Sequence, residues 1–131
     1  MTSSRVVYLV AALAMATVAW TNGAAKVEKK PVLRHVVLFQ YKEGTPPAKV
    51  KEISKAFAAL PSKIDTIVGF EWGTDVSVEN KTKGFTHGFV VSFRDKAGRA
   101  VYLPHPAHQD FVKLVGPHLA DVLVFDYNTT E

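Results

Sequence analysis

The 131-residue chain contains no cysteine, so it has neither a disulfide nor a thiolate to act as ligand or nucleophile. It has no arginine cluster, and its lysines gather only at residues 26–30. Tracking a phosphate backbone takes a basic stripe interleaved with exposed aromatics, so the sequence offers no nucleic-acid surface. The metal-binding pattern HExxH, a phosphate loop, a dinucleotide fingerprint, a nucleophile elbow and paired carboxylates are all missing. Metal-assisted hydrolysis and nucleotide-dependent chemistry have nothing to rest on, and no metal or organic cofactor is expected. Charge is sparse and mixed, 16 basic against 12 acidic residues, and 47% of the chain is hydrophobic. That composition belongs to one folded domain rather than a disordered segment.

The only long apolar run lies at residues 6–20, with Arg5 the sole charge before Lys26. Gly23 and Ala25 then supply small residues just ahead of Lys26. A charged start, an apolar middle and a small-residue exit predict a secretory signal over residues 1–25, and hence a secreted or periplasmic protein. An uncleaved membrane anchor is the alternative, although the run is short against the ~20 residues a spanning helix needs. Residues 26–31 form a polar lead-in, and residues 32–128 the domain.

Residues 32–41 alternate as a strand, with Leu33, His35, Val37, Phe39 and Tyr41 on one face and Val36 and Leu38 on the other. Apolar side chains on both faces suit the middle of a sheet. Thr45 is a candidate cap for a helix that opens on Pro46 and Pro47, runs through Val50, Ile53, Phe57 and Leu60, and stops at Pro61. A second strand is expected over residues 66–76. A third follows over 85–93, with Phe85, His87, Phe89, Val91 and Phe93 facing one way. Asp95 caps a short helix ending near Pro104, Pro106 starts another that stops at Gly116 and Pro117, and residues 119–127 make a last strand. The order β-α-β-β-α-β predicts an α+β, ferredoxin-like fold with two helices on one face of a four-stranded antiparallel sheet. The other face, with Val36, Leu38 and Val90, then needs cover, most simply from a second copy of the chain.

The motifs His35-Val-Val-Leu-Phe, Phe70-Glu-Trp-Gly, Gly84-Phe-Thr-His87-Gly-Phe, Tyr102-Leu-Pro-His105-Pro-Ala-His108 and Val122-Leu-Val-Phe-Asp126-Tyr follow one another in order. Together they resemble the stress-responsive dimeric α/β-barrel (Dabb) family over residues 32–128. The resemblance implies a homodimer whose two sheets form a barrel. The family holds plant stress proteins and a polyketide cyclase that makes olivetolic acid by a cofactor-free aldol closure. It implies an acid/base pair at Tyr102 and His108, with His35 and His87 in the same pocket.

The residues themselves leave two readings of that pair. His108 shares a helical face with Phe111, Val112 and Val115, so it points toward the sheet. There it can take a proton while the Tyr102 hydroxyl steadies an enolate oxygen. Equally, the two can brace a broken helix. His105 precedes Pro106 and is expected to cap or to face solvent, and His118 to lie at the surface or to cap. His35 and His87 share the inward parity and fall about four residues apart along the sheet, ~13 Å at strand rise. That span is too far for one metal ion but suits one ligand pocket. Phe89 and Val91 are candidate pocket wall, while Trp72, Phe70 and Phe85 are expected in the core.

The expected function is an exported homodimer that binds a small apolar molecule between sheet and helices, with possible cofactor-free cyclase- or isomerase-like activity. The alternative is a non-catalytic stress-tolerance dimer braced by the same residues. Haem or quinol chemistry is a third class, for which no motif is present. Membrane contact is expected only through an uncleaved leader.

Overall fold

The structure is a computed structural model that describes residues 30–130; the expected leader therefore lies outside the described residues. Four strands, β1 (Leu33–Tyr41), β2 (Ile67–Thr74), β3 (His87–Phe93) and β4 (Leu119–Asn128), form one antiparallel sheet in the order β2-β3-β1-β4. Helices α1 (Pro47–Ala58), α2 (Lys96–Tyr102) and α3 (Pro106–Val115) accompany it. This is the expected ferredoxin-like α+β architecture, with the second helix divided in two.

β1 sits between β3 and β4, as its two apolar faces require. Leu33, His35, Val37 and Phe39 are buried under the helices, while Val36 and Leu38 are half-buried on the other side. Beneath the helices Phe57 lies 4.4 Å from Phe111 and 4.6 Å from Phe89, and Phe39 lies 5.0 Å from Phe89, centroid to centroid. Such aromatic pairs each add about 0.5–1.5 kcal/mol beyond the area they bury. Phe89 and Val91 are fully buried in this core.

Local chemistry sets the helix ends. Asp95 Oδ1 accepts from the Gly98 amide and so caps α2. His105 caps α3, its Nδ1 accepting from the Ala107 amide ahead of Pro106 at the first helical position. Thr45 does not cap α1; its hydroxyl donates to the Lys42 carbonyl, and Pro46 takes the cap position without a side-chain bond. Helix α1 ends at Ala58, and Leu60–Ser62 adds a 3-10 turn that carries Pro61. Phe85 falls in the turn before β3, where Gly84 adopts φ +87°, a backbone region that disfavours side-chain-bearing residues.

Trp72 departs from its expected place in the core. It lies on the edge strand β2, 46% exposed, beyond the reach of α1. No helix covers the sheet face away from α1, α2 and α3 among the described residues, although Thr82 and Phe85 border its Val36, Leu38 and Val90. Leu123, Phe125 and Tyr127 of β4 stand exposed there, opposite Leu38, Val36 and Arg34 of β1. Arg34 donates to the Ser92 hydroxyl on the same face.

Candidate functional site

A cavity of about 450 Å³ opens between α3 and the sheet. Its floor follows from strand parity: Val37 and Phe39 of β1 stand beside their register partners Val124 and Val122 of β4. Phe111, Val112 and Val115 of α3 form the opposite wall. One step further along the same strands the register pairs His35 with Asp126, which makes that end polar.

His35 Nδ1 lies 2.6 Å from Asp126 Oδ1, and Arg99 Nη1 donates to Asp126 Oδ2 at 2.6 Å. A carboxylate only accepts, so Nδ1 of His35 carries a proton and donates it to Asp126. Tyr102, at the end of α2, has its ring 5.7 Å from that of His35 and 4.2 Å from that of His108. It is wholly buried, and its hydroxyl has no hydrogen-bond partner among the described residues. Burial first, and the Asp126 charge second, push the phenol well above its usual range, so it stays a neutral donor.

The break between α2 and α3 aims His108. Pro104 and Pro106 prevent one continuous helix, and the Leu103 carbonyl left free at the break accepts from His108 Nδ1 at 2.9 Å and from Gln109 Nε2 at 2.8 Å. That bond leaves Nε2 of His108 as the basic nitrogen. Burial lowers the His108 pKa from 6.5, the Leu103 carbonyl partly opposes this, and His35 and His105 lower it further. A neutral base and a neutral phenolic donor thus stand side by side at the end of an apolar cavity. Such a pair can take a proton from carbon while stabilising the oxygen that gains charge.

The cavity brings together Tyr102, His108 and His35 but not His87, Phe89 or Val91. His35 pairs with Val91 and His87 with Phe39, so the two histidines are four residues apart as the spacing implied. The single pocket expected to hold both does not form, because Phe39, Phe57 and Phe89 fill the space between. His87 instead lines a second groove with Trp72 and Phe85, its Nδ1 2.8 Å from the Thr86 hydroxyl. Burial lowers its pKa. Asp126 and Arg99 are the site residues that sequence reasoning missed. The signal for Asp126 was present: it shares parity with Val122 and Val124 and so faces the helices. Among the described residues no group of three or more acidic or histidine side chains could hold a metal ion.

The sequence pattern of the stress responsive A/B barrel domain matches residues 33–129. A stress-response A/B barrel domain-containing protein of Arabidopsis thaliana is 41% identical over 103 residues, covering 79% of this chain and 94% of its own length. Olivetolic acid cyclase of Cannabis sativa is 30% identical over 95 residues, covering 72% of this chain and 94% of its own. The solved structure of a hydroxynitrile lyase from Passiflora edulis superposes with a TM-score of 0.74 at 25% identity, covering 79% of this chain and 97% of that one. A ferredoxin-like protein of Thermobifida fusca, described as dimeric, matches in fold with a TM-score of 0.67 at 22% identity, covering 77% of this chain and 93% of that one.

Proposed function

The chain belongs to the stress responsive A/B barrel domain family, and on that premise we propose that it acts as a homodimer. Each copy binds a small, mostly apolar molecule between α3 and the sheet, and the polar end of the cavity performs cofactor-free acid/base chemistry. The observation that carries this reading is the Tyr102 hydroxyl: buried, neutral and without a partner among the described residues, in a side chain that lines an apolar cavity. A buried donor left unsatisfied costs about 1–3 kcal/mol, which a ligand oxygen accepting from it would recover. Relatives named for a cyclase and a lyase support a chemical use of such a cavity.

In the reaction, the ligand carbonyl oxygen accepts from Tyr102 and the adjacent carbon gives its proton to His108 Nε2. The electron pair moves onto the oxygen as an enolate. It returns to form a bond to a second carbonyl carbon, whose C=O π pair moves onto its oxygen and takes the proton from His108, or to take the proton back at another carbon; either way His108 is neutral again. His35, fixed by Asp126, orients a second polar group of the ligand. Native mass spectrometry of the purified protein tests the binding claim. Two chains carrying a small molecule are expected, and an empty dimer that turns over no carbonyl compound would refute it.

The ties from Asp126 to His35 and Arg99, which link β4 to β1 and α2, favour a second reading. In it the same groups brace a non-catalytic stress-tolerance dimer, and the protein purifies empty. Export completes the proposal. N-terminal sequencing of protein recovered outside the cytoplasm should begin at Lys26; a full-length chain confined to the cytoplasm would contradict it.

A further inference from the structure

Among the described residues no lysine, arginine, aspartate or glutamate lines the cavity of Tyr102 and His108. Asp126 and Arg99, which are joined to His35 at its polar end, are absent from the lining and bonded to each other at 2.6 Å. Asp126 spends its other oxygen on His35. Among the described residues the lining therefore presents a neutral phenolic donor and two imidazoles, with no lysine or arginine to meet an anionic group.

We infer that Asp126 sets the charge selectivity of the site: by occupying Arg99 it restricts the cavity to neutral carbonyl ligands and rejects carboxylates of the same shape. This rests on the ligand-binding reading above and narrows it to a ligand class. Taking a carboxylate out of water without a counter-ion is far more costly than moving a ketone, whose single acceptor Tyr102 satisfies. Burial lowers the His108 pKa, so a protonated imidazole does not stand ready to supply the missing charge above neutral pH. Asp126 and Arg99 touch the ligand only through His35 and act as positioning residues.

Acetophenone and benzoate, close in size and shape but different in charge, are suitable probes at pH 8, with binding read by NMR shift changes of the His108 and Tyr102 rings. The wild-type protein should bind acetophenone at least tenfold more tightly than benzoate. Asp126→Asn frees Arg99 and should improve benzoate binding relative to acetophenone about tenfold. Arg99→Gln, which leaves Asp126 uncompensated, should move the ratio the other way and covers the case in which Asp126→Asn does not fold. Equal wild-type affinity for the two probes, or a ratio unmoved in the folded variants, would overturn the selectivity while leaving the cavity a binding site. Failure of both probes to bind at millimolar concentration would instead remove the ligand-binding reading, and this inference with it.

Discussion

His35 and Asp126 are direct register partners across the β1–β4 ladder, and their side chains close a 2.6 Å hydrogen bond on the helix-covered face. Backbone pairing therefore sets Nδ1 as the His35 nitrogen that donates to Asp126. Arg99 reaches the same carboxylate from α2, so three elements meet at one carboxyl group. Asp126→Ala should cost about 1–3 kcal/mol, the range for hydrogen bonds to charged groups. Urea denaturation would register this as a lower midpoint at unchanged slope; an unchanged midpoint would mean the contacts add nothing.

Tyr102→Phe separates stability from function. It removes a hydroxyl with no partner among the described residues, so the variant should be at least as stable as the wild type, gaining up to about 1–3 kcal/mol. Ligand turnover should fall by about 10²-fold or more, the scale of a lost transition-state donor. Calorimetry and a turnover assay on the same sample would check both. A marked loss of stability would show that the hydroxyl has a structural partner after all.

Two histidines, 87 and 108, have pKa values lowered mainly by burial. An unfolded histidine titrates near 6.5, so below that pH the unfolded chain takes up protons that the folded chain refuses. Their contribution to stability is therefore full above about pH 6.5 and is lost as pH falls through their folded values. His108→Gln should flatten part of this acid-side slope in a series of denaturation curves. Catalysis that needs neutral His108 should fade on the same side of neutrality, and a rate that rises on acidification would contradict its role as base.

On the sheet face away from the helices Phe125, 62% exposed, stands beside Val36 and so marks the proposed contact with a second copy. Phe125→Glu should convert a dimer into a monomer at micromolar concentration, as read by light scattering, with the far-UV circular dichroism retained. A wild-type monomer, or a variant that remains dimeric, would place the partner elsewhere.

Period-two alternation made the sheet legible from residues 32–41 and 87–93, because burying one face of a strand leaves a regular imprint. The cap at Asp95 was equally legible, since a short acidic side chain ahead of a helix has few other uses, while His105 was marked only by the Pro106 that follows it. Parity could not say how far the helices extend over the sheet. Trp72 has an inward parity but lies past the end of that cover, and His87 faces inward beyond a wall of three phenylalanines. Arg99 was hidden for a different reason: a charged residue in a short helix carries no mark of the carboxylate it will meet 27 residues later.

The last strand places a demand on the chain before it assembles. Residues 122–125 are a run of four apolar side chains, exposed on both faces of a strand at the border of the sheet. Its outer backbone groups are a template for any passing extended segment, and it lacks the proline or lysine that blunts such borders elsewhere. For the proposed homodimer, a newly made copy is thus most vulnerable to aggregation while it is alone. Slow synthesis or dilution lengthens that interval, so soluble yield should depend on how soon two copies meet as well as on how stable each one is.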